Sequence, residues 1–213
     1  NKERNVNILV VNCGSSSLGF KVYQANGSEN SKVILAGKAR NVATQTKADP
    51  LIEWVQDGGK QERHCPLPSH QAAAREMLAI LLKHGIHIDA VGHRFVHGGE
   101  LFKATTRVDE HSLDGLKQVL PLASIHNPNS FSAIQVCLDG LPGVPEFVVF
   151  DTAFHAGLPV EAREYALPRD LADRYGLRKY GFHGLSYQYV SARAAAMLEQ
   201  PLDQVKLIMC HLG

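Results

Sequence analysis

Apolar and polar residues in the first forty positions follow the short periods of extended chain. Residues 8–11 form a continuous apolar run, residues 18–23 alternate with period two, and residues 33–39 are again apolar-rich, which predicts three strands. Polar turns separate them. Residues 14–17 are short enough for a hairpin and ANGSENS supplies an Asn-Gly pair for a second, so antiparallel pairing in chain order is expected. The period then lengthens. In SHQAAAREMLAILLKHG, Ala73, Met77, Ile80 and Leu81 share one helical stripe, with Ser69 placed to cap its start and Gly85 just past its end. IDAVGHRFVHGG reads as a strand, DEHSLDGLKQVL and NSFSAIQVCLDGL as helices, and PEFVVFD as a strand closing on Asp151. Strands followed by alternating helix and strand predict an α/β fold, a mixed sheet with helical cover. Beyond Asp151, Pro159, Pro168, Gly176 and Gly181 punctuate short helical pieces before a helix over residues 186–198 and a final strand, KLIMCHLG. Residues 1–151 are therefore expected to form one domain, and residues 152–213 the connecting helices and first strand of an incomplete second one.

Composition narrows the class. The chain has 213 residues, 45% of them hydrophobic, enough for one full domain and part of another. With 22 Lys plus Arg against 21 Asp plus Glu, it lacks the basic excess that nucleic acid or an anionic membrane selects, so small-molecule partners are expected. Runs such as MLAILL and FVVF fall far short of the roughly 18 residues that cross a bilayer, and the N-terminal stretch has no extended apolar core, which predicts a cytoplasmic protein. Cys13, Cys65, Cys137 and Cys210 stand far apart without CxxC spacing, so reduced thiols are expected rather than a zinc site or disulfide framework.

Chemistry concentrates in a few stretches. The turn in NCGSSSL can aim backbone N–H groups and hydroxyls at a phosphate, or it can be an ordinary polar hairpin. Asn12, just ahead of it, could reach a metal-bound water or the phosphate, or cap the turn. In AVGHRFVHGG, strand periodicity puts Arg94 and Val96 on one face and His93, Phe95 and His97 on the other. A guanidinium beside an apolar wall suits a short carboxylate, with a structural ion pair as the alternative. His93 and His97 have no third ligand spaced to join them and are read as packing residues. His126 lies in a loop before a helix that Asn127 or Asn129 would cap. Asp151 sits at the carboxyl end of a buried strand, where open sheets place ligand contacts, and His183 stands between an aromatic residue and a glycine before a helix.

Taken in order, LVVNCGSSSL, GHRFVHGG, PLASIHNP, FDTAFH, YGFHGLSY and the terminal CHLG resemble the acetate kinase family, the acyl-phosphate-forming branch of the group that includes sugar kinases, actin and the Hsp70 ATPase domain. The resemblance spans essentially the whole chain. It implies ribonuclease-H-like domains with nucleotide and substrate in the cleft between them, this chain being the first domain and the incomplete start of the second. The implied activity is reversible phosphoryl transfer from ATP to acetate, giving acetyl phosphate and ADP, with Mg2+. By the same resemblance Asn12 lies near the magnesium, Ser15 and Ser17 at the phosphate turn, and Arg94 on the carboxylate or transferring phosphoryl group. Val96, Ile125 and Phe182 match the pocket for the substrate methyl group. Asp151 matches the family's essential aspartate, His183 the histidine that steadies the phosphoryl group, and His126 and His211 other site-lining histidines. A homodimer of the complete protein is implied as well.

Asn12, Arg94, Asp151 and His183 are thus expected to converge on one anion-filled hollow. Because the nucleophile would be a carboxylate already ionised around pH 7, Asp151 is expected to orient Arg94 or a magnesium-bound water rather than accept a proton. This sequence departs from the family pattern in three ways. Gly19 stands where lysine is usual, with Lys21 as the candidate substitute on the same strand face. HGLSY replaces HGTSH, putting Leu185 and Tyr187 near the cleft. The segments that bind adenosine, a second arginine and an acidic metal ligand would lie beyond Gly213. A pyrophosphate-dependent or propionate-preferring member of the family, a chaperone- or actin-type ATPase domain, and a non-catalytic assembly domain are the competing readings.

Overall fold

The computed structural model describes residues 5–26, 30–44 and 49–212. Strands β1 (Val6–Cys13), β2 (Ser17–Asn26) and β3 (Asn30–Arg40) pair antiparallel in chain order, as their patterning predicts. The Asn-Gly turn expected between β2 and β3 lies partly outside the described residues. β4 (Leu51–Gln56) and β5 (Gly59–His64) extend the sheet as an antiparallel hairpin not expected from the patterning above. Its signal is Asp57-Gly58, with φ of 49° and 78°, the dipeptide that tight hairpin turns favour. On the other side of β1, β6 (Ala90–Phe95) runs parallel to it, and β7 (Thr106–Arg107) and β8 (Glu146–Phe150) complete the order β5-β4-β3-β2-β1-β6-β8-β7. The sheet is therefore mixed. Its outer strand β5 is exposed along its length and carries Lys60, Glu62 and Arg63, charges that blunt an edge against further pairing.

The chain packs as two units, Asn1–Phe95 with Thr105–Val149, and Val96–Ala104 with Phe150–Gly213. In the first, helix α1 (His70–Lys83) starts where Ser69 Oγ accepts the Ala72 N–H at 3.1 Å, and α2 (Glu110–Gln118) starts at a capping box between Asp109 and Ser112. Helix α3 is Asn127–Gly140. Ala73, Met77 and Ile80 of α1 and Ala133, Val136 and Cys137 of α3 share one core with Leu9, Val11, Leu18, Phe20, Val22 and Leu35. Each large aliphatic side chain buried there contributes roughly 1.5–3 kcal/mol. The helices cover one sheet face; Val10, Asn12, Lys21, Lys38 and Val55 on the other are exposed. Between β6 and β8 the core admits a polar pair, His93 Nε2 and Glu146 Oε2, 2.7 Å apart with both side chains buried. His93 is thus a packing residue.

In the second unit, Phe102 and Phe150 stack with ring centroids 4.8 Å apart. Gly98 fits beside them because a Cβ there would lie 2.6 Å from the Phe102 carbonyl oxygen and 2.9 Å from the Phe150 ring. Helices α4 (Val160–Arg163), α5 (Arg169–Tyr175) and α6 (Gly184–Met197) follow, the last within two residues of its expected start. Two expectations need correction. The strand expected through Val96 ends at Phe95, where the chain leaves the sheet for the second unit. KLIMCHLG forms no strand among the described residues: residues 205–212 are irregular, with Ile208 97% and Leu212 95% exposed. Extended chain becomes a strand only when a neighbour takes its hydrogen bonds, and none among the described residues does so. Among the described residues no helix is long and apolar enough to cross a membrane.

Candidate active site

The serine turn is held from behind by two helices. Gly14 N–H donates to the Ser17 carbonyl at 2.8 Å to close the hairpin, leaving Ser15 exposed and Ser17 half-buried. The Gly14 carbonyl in turn accepts from His70 Nε2 of α1 at 2.9 Å and from Asn129 Nδ2 of α3 at 3.5 Å. Neither role was expected. The signal for His70 was its place on the apolar stripe that continues through Ala73 and Met77, where a polar side chain needs a buried partner. Asn129 also donates to the Ile125 carbonyl at 2.9 Å, and Asn127 Nδ2 to the Val119 carbonyl at 2.8 Å. Both side chains act as donors to carbonyls, so the expected capping of α3 by either residue is corrected: its N-cap is His126, with no side-chain cap. His126 Nδ1 is buried without a hydrogen-bond partner among the described residues, and Ile125 is 65% exposed.

One rung of the sheet carries the charge. Arg94 Nη1 donates to Asn12 Oδ1 at 2.9 Å; Asn12 is in register with Gly19, Gly19 with Lys38, and Lys38 with Glu53. With its carbonyl turned to the guanidinium, Asn12 presents its NH2 end as a donor. Beneath this row the Cys13 thiol is pushed up to about 12 by burial, partly offset by the Arg94 charge. It is inert filling, and the four cysteines are free.

The remaining candidates belong to the second unit. Asp151 follows β8 directly and is 1% exposed; its carbonyl accepts the Gly184 N–H at 2.9 Å. A Cβ on Gly184 would lie 2.3 Å from that oxygen, so glycine lets α6 begin against Asp151. His183, in the left-handed region at φ 53°, is the N-cap of α6, and its ring stacks on His211 with centroids 4.1 Å apart. Tyr187, one of the departures from the family pattern, lies 6.3 Å from His211. Phe182 packs edge-on against His97 at 5.3 Å, as does Tyr180 at 4.6 Å, and His97 Nδ1 accepts the Gly99 N–H at 3.0 Å. Val96, half-buried, precedes this cluster. Of the four groups expected to converge, Arg94 and Asn12 meet in the first unit; in the second, the residue after His183 bonds to Asp151.

His70 and His97 share an electrostatic property. Burial holds both imidazoles below their ordinary value, although the Gly14 and Ser17 backbone pulls His70 the other way. A folded-state value below the unfolded one favours the neutral ring, so their contribution is fully present above the unfolded pKa. It is lost as pH falls from about 6.5 toward the folded values. Urea midpoints are expected to drop over that window and to drop less in His70→Gln; a midpoint flat down to about pH 5 would contradict this.

The donor set does not fit a magnesium ion held by this chain. Asn12 offers one oxygen, already taken by a guanidinium, and no group of three His, Cys, Asp or Glu side chains that could hold an ion occurs among the described residues.

The first unit is thus a mixed α/β sheet carrying a hydroxyl-lined turn with an arginine-amide pair beside it. The chain matches the profile of the acetokinase family over residues 7–213 and belongs to that family. It is 42% identical over 213 residues to the acetate kinase of Methanosarcina acetivorans, covering 97% of this chain and 51% of the relative. To that of Thermotoga maritima it is 41% identical over 216 residues, covering 97% and 51%. Among solved structures it resembles Porphyromonas gingivalis acetate kinase, with TM-score 0.81, 34% identity, and 93% of this chain against 50% of that one. A propionate kinase from Francisella tularensis gives TM-score 0.82, 34% identity, 92% and 50%. The fold is therefore the ribonuclease-H-like one of this group. The chain spans about half the length of the curated relatives it matches.

Proposed function

We propose that the full-length polypeptide carrying this chain is a carboxylate kinase of acetate kinase type, reversibly transferring the terminal phosphoryl group of ATP to acetate. The observation that carries this reading is the Arg94–Asn12 pair, one strand end away from the Ser15–Ser17 turn, in a member of the acetokinase family. A carboxylate oxygen attacks the γ-phosphorus, the bond to the bridging oxygen breaks, and ADP leaves with the electron pair. No proton is transferred, because the acid is ionised around pH 7. Arg94 takes the carboxylate or the equatorial phosphoryl oxygens, and the Asn12 NH2, Ser15 and Ser17 donate to phosphate. His183 donates to the transferring group, with His126 and His211 at the margin. Val96, Ile125 and Phe182 wall the substrate methyl group, and Asp151 is an orienting group. Magnesium, as a companion of ATP, would be bound through the donor's own phosphate oxygens and water. Free thiols and a net charge of only +1 support a cytoplasmic setting, and a homodimer rests on the family resemblance alone.

Acetyl phosphate trapped as the hydroxamate tests the activity directly. Acetate with ATP is expected to give signal that depends on full-length enzyme. Gly19 favours a second arm with pyrophosphate as donor, and the propionate kinase neighbour a third with propionate as acceptor. A one-methylene preference would be worth only about 1–3 kcal/mol. No hydroxamate in any arm would leave the assembly-domain reading.

A further inference from the structure

We propose that Lys38 is a phosphate-binding residue of this site, laying its ammonium across Gly19 beside Asn12 to hold the polyphosphate end of the phosphoryl donor; this rests on the carboxylate kinase reading above. Chain order points to Lys21, two residues from Gly19, but the register points elsewhere. Gly19 is flanked directly by Asn12 on β1 and Lys38 on β3, whereas Lys21 is flanked by Val10 and Ala36, one same-face position further along, about 7 Å. Directly opposed residues stand roughly 4.5–5.5 Å apart, within easy reach of a lysine head group. The ground above Gly19 is open: a Cβ there would meet only the Asn12 carbonyl oxygen, at 3.8 Å. Arg94 already brings its guanidinium to Asn12 from the other side, so Gly19 and Asn12 stand between the two cations.

Charge on this face is unevenly committed. Glu53, the acid opposite Lys38, is engaged by Arg40 and by Lys60 at 3.1 Å, and their hydrogen bonds hold its carboxyl below the ordinary value. Among the described residues neither Lys38 nor Lys21 has an ion pair. Asn12, Gly19, Lys21 and Lys38 line one cavity of about 580 Å³ on the open face of the sheet, with Glu53 and Lys60 at its far side. Lys38, Lys21 and the Asn12 amide around the open ground of Gly19, with the Arg94 guanidinium on the Asn12 carbonyl next to them, make a place for an anion of several phosphate groups.

Calorimetric titration of ATP and of inorganic pyrophosphate into the full-length protein tests this without relying on turnover. Lys38→Met is expected to weaken binding of at least one of them about tenfold or more, the loss of one charge-assisted hydrogen bond. Lys21→Met should weaken it about twofold or less, as a screened, more distant charge. Gly19→Lys, for which there is room, is expected to recover most of the affinity in the Lys38→Met background. Unchanged affinity in Lys38→Met, a larger loss in Lys21→Met, or no binding by the unmodified protein would each overturn the assignment. Lys38 is exposed, so matched melting curves separate lost binding from lost fold. If hydroxamate never forms yet binding depends on Lys38, the kinase reading fails and the phosphate site stands; if hydroxamate forms and binding ignores Lys38, only the assignment of Lys38 fails.

Discussion

Arg94→Ala in the full-length enzyme is expected to lower kcat for acyl phosphate formation about a hundredfold or more, with a well-formed fold. The phosphoryl group passes through a loose transition state that spreads negative charge over its equatorial oxygens, and a fixed donor aimed at that charge contributes about 3 kcal/mol. Arg94 qualifies because one arm of its fork is held on Asn12 at 2.9 Å, which fixes the plane of the guanidinium and so the directions of its other N–H groups. Lysine at the position keeps charge without the fork, so Arg94→Lys should recover only part of the loss. If Arg94 held only the ground-state carboxylate, KM for acetate would rise with kcat unchanged. Near-normal kcat and KM in Arg94→Ala would remove it from the mechanism.

Asp151→Ala is expected to cost a similar factor, about a hundredfold in kcat, for a different reason. Its backbone carbonyl anchors the first residue of α6, and that bond survives the substitution, so the loss would report the carboxylate alone. An orienting carboxylate and a general base differ in what pH does. With a nucleophile that is already ionised, kcat/KM is expected to show no rise attributable to Asp151 between about pH 6 and 8. A pH-dependent step present in the parent enzyme and absent from Asp151→Asn would reinstate the base. Gly184→Ala serves as a companion: its methyl would press on the Asp151 carbonyl, and activity should fall with the carboxylate in place.

Much of the sheet was legible because its strands bury alternate residues, as in Leu18, Phe20 and Val22, and because Ser69 caps α1 through a purely local bond. The β4–β5 hairpin went unread: its one signal was Asp57-Gly58, and its outer strand is polar throughout and gives no burial signal. KLIMCHLG misled because alternation specifies which face would be buried and says nothing about whether a pairing edge is available. Within the site, Arg94 and Asn12 are adjacent through the parallel pairing of β1 with β6, yet they lie 82 residues apart in the chain. The roles of His70 and Asn129 at the Gly14 carbonyl went unread because each acts on a main-chain oxygen, which no side-chain pattern records. The same holds for Lys38, whose relation to Gly19 exists only in the register.

The clamp on the Gly14 carbonyl bears on how tightly an anion can be held. A glycine-serine loop left free would lose conformational entropy each time it closed on a ligand, and that loss would be subtracted from affinity. Here the imidazole of His70 and the amide of Asn129 have already immobilised it from the protein side. On the function proposed above the hairpin would be a preformed receptor, and loading and release of phosphate should leave its backbone where it stands.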